Sequence, residues 1–268
     1  MFQIKAKLLY NKRVKDEYLC FAFEAREIAK RACPGQFVNI RIIDNYAPLL
    51  RRPFSIHRIR GKNIEIFYEV VGQGTEILTQ KKAGEYIDII GPLGNGFDYP
   101  TPYTLRPTPI LIAGGMGVAP LIFLAEKLTE RKTQNSKHKT LVLIGAKTKK
   151  QILCEEEFKK LGCAVKIATD DGSRGFKGYV SELLKKIVSS IKHQASSIYA
   201  CGPKPMLKEV SRISGKFKIS AQISLEEHLA CGIGACLGCM INTKDGYKRV
   251  CKEGPVFAAD EIIWSKED

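Results

Sequence analysis

Four cysteines near the carboxyl end, Cys231, Cys236, Cys239 and Cys251, follow the spacing C-x4-C-x2-C-x11-C. Plant-type [2Fe–2S] ligation uses a C-x4-C-x2-C run with a distant fourth cysteine, two thiolates to each iron. Gly232, Gly234 and Gly238 lie among the first three cysteines. Glycine lets such a loop take positive φ and turn its N–H groups onto sulfur, and hydrogen bonds of that kind tune a centre's potential. Structural zinc sites favour two short cysteine pairs. Three clustered cysteines and a lone fourth depart from that pattern, but zinc stays open as an alternative, as does an ordinary reactive-cysteine loop. Cys20, Cys33, Cys154 and Cys163 show no ligand spacing and read as bystanders. Ser224-Leu225-Glu226-Glu227 has the form of a capping box and predicts a short helix leading into the loop.

Two further groups of residues could hold anionic ligands. In Arg51-Arg52-Pro53-Phe54-Ser55-Ile56, Arg52 can grip an anion, Ser55 can hydrogen-bond a ring or a phosphate, and Pro53 fixes the backbone. A surface turn would account for these residues as well. Glu69-Val70-Val71-Gly72-Gln73-Gly74-Thr75 reads as a strand, a glycine turn and a helix start, where N–H groups suit a pyrophosphate. Ile89–Phe97 is a third glycine-dense turn that closes this half. Farther on, Ala113-Gly114-Gly115-Met116-Gly117-Val118-Ala119-Pro120 lies between a strand and a helix. It lacks the G-x-G-x-x-G fingerprint, yet its glycines permit the same close approach, and Pro120 suits a first helical turn. A plain strand–helix turn accounts for it equally. Cys201-Gly202-Pro203 ends another strand, and ligands of doubly wound sheets bind at such carboxyl ends. None of these motifs offers a nucleophile with its base, so no catalytic residue is assigned.

These residues need elements to position them. Phe2–Leu8, Tyr18–Phe23, Gln36–Ile42 and Ile64–Val71 alternate or are β-branched and lie between turn signals, which predicts a small antiparallel barrel. A proline-rich passage, Asp98–Pro102 with Pro107-Thr108-Pro109, reads as a domain link. Apolar runs at Ile110–Ala113, Leu141–Ala146, Val165–Ala168 and Ser197–Ala200 then alternate with helical patterns at Leu121–Arg131, Glu155–Leu161 and Val180–Ile191. This is the pattern of a doubly wound parallel sheet. The expected division is a barrel in 1–102, an α/β domain in 103–222 and a cysteine-rich segment in 223–268. The 268 residues carry nine cysteines, an odd and dilute set that rules out a fully paired disulfide scaffold. Met1–Tyr18 is charged throughout, with no signal-peptide core, and no apolar run reaches membrane-spanning length. A soluble cytoplasmic protein is expected. The net charge of +15 is concentrated in residues 101–220, with 22 Lys+Arg against 9 Asp+Glu, whereas 221–268 is net −3 with 5 against 8. Without a nucleic-acid module, the basic centre reads as a solvated face.

Taken in order, the motifs resemble the ferredoxin–NADP reductase superfamily. Arg52-Pro53-Phe54-Ser55 is similar to its flavin-binding Arg-Pro-x-Ser, and Gly74-Thr75 to its pyrophosphate-binding Gly-Thr. Gly114–Pro120 and Cys201-Gly202-Pro203 are similar to its nicotinamide motifs. Glu226–Cys236 and Val250–Phe257 resemble the cluster segment of the electron-transfer subunits of class 1B dihydroorotate dehydrogenases. The insertion-like, basic Thr133–Lys139 departs from that pattern. The resemblance implies FAD held by Arg52, Pro53, Phe54, Ser55, Glu69, Val70, Val71, Gly74 and Thr75. It implies NAD at Gly114, Gly115, Gly117, Cys201, Gly202 and Pro203, and a [2Fe–2S] cluster on Cys231, Cys236, Cys239 and Cys251. It further implies an FMN-containing dihydroorotate dehydrogenase catalytic subunit as partner, in a hetero-oligomer (a heterotetramer) of pyrimidine biosynthesis. Leu237-Gly238, at the exposed cluster edge, and Phe257–Trp264 are the segments expected to dock it. Electrons would pass from that partner through the cluster and FAD to NAD⁺, and this chain alone would not oxidise dihydroorotate. A different iron–sulfur flavoprotein reductase is the alternative, such as a subunit of a bifurcating ferredoxin–NADP oxidoreductase or a sulfide dehydrogenase. Lys147, Lys149 and Lys150 follow a strand where NADP would want a cation, but the resemblance favours NAD.

Overall fold

The computed structural model describes residues 1–43, 47–99, 108–130, 139–190 and 195–265. Most of the expected domain link, including the 102/103 division, and nearly all of the insertion-like Thr133–Lys139 lie outside the described residues.

The amino-terminal half is a curled sheet of seven strands: β1 (Phe2–Lys15), β2 (Tyr18–Glu24), β3 (Phe37–Arg41), β4 (Arg52–Ser55), β5 (Arg58–Arg60), β6 (Asn63–Glu69) and β7 (Tyr86–Leu93). They are ordered β4-β3-β7-β1-β2-β6-β5, with every pairing antiparallel. Alternation places Ala6, Leu8, Phe21, Phe23, Val38, Ile40, Ile64, Ile66, Ile87 and Ile89 inside. The barrel expected from that alternation is thus an antiparallel half-barrel. Two short helices, α1 (Arg26–Ala29) and α2 (Gln73–Thr79), pack on it.

The second sheet runs β8 (Thr108–Gly114), β9 (Leu141–Ala146), β10 (Ala164–Thr169), β11 (Phe176–Lys177), β12 (Ala195–Cys201) and β13 (Ser220–Ser224), all parallel, in the order β11-β10-β9-β8-β12-β13. Residues 109–114 of β8 are buried on both faces, as a central parallel strand covered by helices must be. The helices are α3 (Val118–Glu130), α4 (Glu155–Lys160), α5 (Val180–Ser190) and α6 (Lys204–Phe217). The chain order reverses between β8 and β12. The carboxyl ends there flank the crevice in which such sheets hold ligands.

The last segment does not stand apart. After the cysteine loop, a hairpin of β14 (Met240–Thr243) and β15 (Gly246–Arg249) leads to β16 (Val256–Ala258), which joins the parallel sheet antiparallel to β13. The helix predicted from the Ser224 capping box is absent. Ser224 ends β13 instead, paired on one side with Cys201 and on the other with Val256, and the Leu225 N–H donates to the Pro255 carbonyl. Sheet pairing takes up the backbone groups that a helix would need.

A polar latch joins the two sheets. Arg58 of the half-barrel donates to Glu126 of α3 at 2.8 Å and also bonds Glu157 of α4. The His57 Nδ1–H donates to the Ala119 carbonyl at 2.9 Å. Burial alone would raise the Glu157 carboxyl. The facing His57 and Arg58 outweigh it and hold the group at about 2. Ligating atoms of His57, Cys154 and Glu157 lie within 4.8 Å of one another. Arg58 already engages that carboxylate, so the group ties two sheets rather than offering an open ligand set.

Candidate functional site

Two clefts and a thiol loop adjoin one another. The first cleft, about 390 Å³, opens between the half-barrel and the carboxyl-terminal segment. Arg52, Pro53, Phe54, Ser55, Glu69, Val71 and Thr75 line it, as the motifs anticipate; Val70 and Gly74 do not. Gly74 acts from behind, because a Cβ there would meet Arg52 Nε at 2.9 Å, so its bareness lets the guanidinium lie against the start of α2. Thr75 shapes that start. Its Oγ1 donates to the Gly72 carbonyl at 2.9 Å and accepts from the Val71 N–H at 2.9 Å. The two arginines of the motif divide their work. Arg51 is paired with Asp88 at 2.9 Å, whereas Arg52 donates to the Leu50 carbonyl and pairs with no carboxylate among the described residues. An unpaired guanidinium, a hydroxyl and an aromatic wall of Phe54, Phe67 and Tyr68 fit an anionic ligand carrying a flat ring.

The second cleft, about 620 Å³, lies at the carboxyl ends of β8, β9 and β10. Gly114, Gly115 and Pro203 line it; Gly117, Cys201 and Gly202 do not. Those three hold the two motifs together. A Cβ on Gly117 would fall 1.9 Å from the Cys201 carbonyl oxygen, and one on Gly202, at φ +155, would fall 2.9 Å from the Gly114 nitrogen. Cys201 is buried between β8 and β13, and burial pushes its thiol far up. Lys147 lines the cleft, but Lys149 and Lys150 do not. Gln151, Asp170 and Tyr179 were not singled out in the sequence, although Asp170 directly follows β10, where the carboxyl-end rule could have found it. Glu69 borders both clefts, which are thus neighbours.

The thiol loop forms the third part. Cys239 and Cys251 are buried at the base of the β14–β15 hairpin, Cys231 is half-buried and Cys236 is exposed. Backbone donors converge on the sulfurs. Cys231 Sγ accepts from Ile233, Ala235 and Cys236 at 3.5, 3.3 and 3.4 Å, and Cys251 Sγ accepts from Gly234 at 3.1 Å. Gly238 donates to Cys236 Sγ at 3.5 Å and Cys251 N–H to Cys239 Sγ at 3.4 Å. Gly232 and Gly234 hold positive φ, +70 and +84, which aims these donors inward. Burial would raise the Cys231 thiol, but its N–H donors prevail and bring it down to about 6. Burial and the neighbouring Cys239 push Cys251 up to about 12. Arg249 braces the loop from outside, donating to the Gly234 carbonyl at 2.7 Å and pairing with Glu253. Four free thiols served by six N–H donors fit a site for anionic sulfur. Leu229, Val250 and Pro255 of this segment also line the first cleft.

In the docking segment expected at Phe257–Trp264, Phe257 and Ala259 lie in the core, whereas Ala258, Asp260 and Ile263 are exposed. Leu237 is exposed as well, at φ +61.

A half-barrel joined to a doubly wound sheet across adjoining clefts is the architecture of the ferredoxin reductases. The structure superposes on a ferredoxin NADP⁺ reductase from Neisseria gonorrhoeae with bound FAD and NADP at a TM-score of 0.66, with 17% identity over 80% of this chain and 91% of that one. Agreement is fuller with the NADH-dependent reduced ferredoxin–NADP oxidoreductase, at a TM-score of 0.82 and 27% identity over 97% of this chain and 90% of that one. A profile of the oxidoreductase NAD-binding domain matches residues 111–212, and one of the iron–sulfur cluster binding domain of dihydroorotate dehydrogenase B matches residues 226–263. The electron transfer subunit of dihydroorotate dehydrogenase B (NAD⁺) from Desulforamulus reducens is 42% identical over 97% of both chains. That of Caldanaerobacter subterraneus subsp. tengcongensis is 37% identical over 98% of this chain and 99% of its own. The chain belongs to the family of dihydroorotate dehydrogenase B (NAD⁺) electron transfer subunits.

Proposed function

We propose that this chain carries electrons from an FMN-containing dihydroorotate dehydrogenase subunit to NAD⁺ in pyrimidine biosynthesis, in the cytoplasm and as part of a hetero-oligomer. One observation carries the reading. The cysteine segment walls the first cleft, and Glu69 borders both the first cleft and the second, so the three sites adjoin one another. No helix among the described residues is long and apolar enough to cross a membrane.

We assign a [2Fe–2S] cluster to Cys231, Cys236, Cys239 and Cys251. FAD is assigned to Arg52, Pro53, Phe54, Ser55, Glu69, Val70, Val71, Gly74 and Thr75. NAD is assigned to Gly114, Gly115, Gly117, Cys201, Gly202 and Pro203. When bound, the cluster accepts electrons singly and the flavin exchanges both single electrons and hydride. The protein's part is to bind, orient and exclude water. Arg52 and the N–H groups at Gly74-Thr75 neutralise a pyrophosphate, and Ser55 offers a hydroxyl to the ring. Gly114 and Gly115 let a dinucleotide lie close to the end of β8. The divisions 1–102, 103–222 and 223–268 follow these three roles, although the last begins within β13. Shared architecture with the NADH-dependent reduced ferredoxin–NADP oxidoreductase favours a bifurcating reductase subunit as a second reading. The higher identity to the dihydroorotate dehydrogenase subunits favours the first.

The test is reconstitution. Adding the FAD- and iron-loaded chain to the FMN-containing partner should confer dihydroorotate:NAD⁺ activity. An unchanged rate, together with strong NADPH oxidation by the chain alone, would favour the second reading.

A further inference from the structure

Between the half-barrel and the thiol loop lies a polar side chain that none of these assignments uses. Asn39 sits in β3, opposite Pro53 of β4 on one side and Ile90 of β7 on the other, and it is 1% exposed. Its Nδ2–H donates to the Cys231 carbonyl at 3.2 Å, across 192 residues of sequence. Its Oδ1 has no partner among the described residues. The loop residue that follows, Gly232, has φ +70, and a Cβ there would fall 2.3 Å from Asn39 Nδ2. Amide and glycine are thus fitted to one another.

A buried amide oxygen left without a donor is a cost that an apolar side chain of the same size avoids. Stability of the half-barrel therefore does not account for an asparagine here. The contact has another use. Cys239 and Cys251 are held by their hairpin, whereas the arm from Cys231 to Cys236 is loop, with Ile233, Ala235 and Cys236 exposed and Arg249 bracing only its middle, at Gly234. Asn95 fastens the far end of the segment to the half-barrel through the Glu253 and Gly254 carbonyls, at 2.9 and 2.6 Å. Asn39 fastens the near end, from a strand paired with the Arg52–Ser55 strand.

We propose that Asn39 is a positioning residue for electron transfer: it clamps the loop of the first cluster ligand to the flavin strand and so fixes how the two redox centres face each other. This rests on the reading of the four cysteines as cluster ligands. Outer partners of metal ligands, when removed, cost roughly ten- to a hundredfold in metal retention or activity.

The test uses the full chain loaded with FAD and cluster, in the forms Asn39→Leu, Gly232→Ala and the double variant. Each single change should keep FAD, release iron to a chelator roughly ten- to a hundredfold faster, and alter the EPR signal of the dithionite-reduced cluster. The double variant should release iron no faster than the worse single, because both changes break one contact. Wild-type release and an unaltered EPR signal in Asn39→Leu would overturn the proposal, as would effects that multiply in the double variant. Should Asn39→Leu lose flavin as well, Asn39→Ser, too short to reach Cys231, takes its place under the same criteria. A wild-type chain with no iron on its cysteines would instead sink the cluster reading itself.

Discussion

A methyl group on Gly117 would sit 1.9 Å from the Cys201 carbonyl oxygen. Gly117→Ala should therefore push the two nicotinamide motifs apart, costing about 1–3 kcal/mol. The expected signs are a lower denaturation midpoint and a raised KM for NADH, with flavin absorbance unchanged. The thiols allow a sharper comparison. Cys239→Ser should abolish iron and sulfide content while FAD stays bound, whereas Cys154→Ser, outside the ligand set, should leave both at wild-type levels by metal and sulfide analysis. The grouping of the four thiols was legible in the sequence because a loop's own spacing sets which side chains it can bring together. Asn39 was not, because a buried asparagine in an alternating strand gives no sign of a partner 192 residues away. Gly117 was legible as a motif member but not in its role, since only the fold brings Cys201 against it.

At the scale of elements, the latch around Arg58 carries the most electrostatic consequence. The Arg58 and Glu126 side chains are 13% and 8% exposed, so Arg58→Met would leave the buried Glu126 carboxylate to the more exposed Arg60 alone, 3.1 Å away. Losing a hydrogen bond to a charged group costs about 1.5–3 kcal/mol. Urea denaturation should show that loss, while Lys127→Met, which removes a surface pair to Glu130, should change stability by less than about 1 kcal/mol. Glu157 adds a pH dependence. Its folded carboxyl is held at about 2, below an unfolded value near 4.5. Its contribution is therefore present above about pH 4.5 and lost as the pH falls towards 2. Glu157→Gln should flatten that part of the acid-denaturation curve. Strands of both sheets were readable from alternation and apolar runs, because each periodicity reflects which faces are covered. The Ser224 capping signal failed because tertiary pairing with β12 and β16 outbids a local cap. Three-residue β16 shows no period at all.

Over the whole molecule, the charge concentrated in residues 101–220 leaves the carboxyl-terminal segment, net −3, as a chemically distinct region. Ile233, Leu237 and Met240 are exposed on it in or beside the thiol loop, and Tyr247 and Ile263 toward the turn of the following hairpin. Such a grouping marks a contact surface. The proposed relay needs the catalytic subunit to approach there, so Leu237→Asp should weaken assembly by about 1–2 kcal/mol, roughly tenfold in Kd. Sedimentation of the mixed subunits would check this, with FAD and iron content unchanged.

The same segment also guards a rim. Strand β16 covers the open side of β13, whose N–H and C=O groups would otherwise face outward. Were the tail removed before Val256, a bare strand border would invite another molecule to add itself, so such a truncation should register as aggregation.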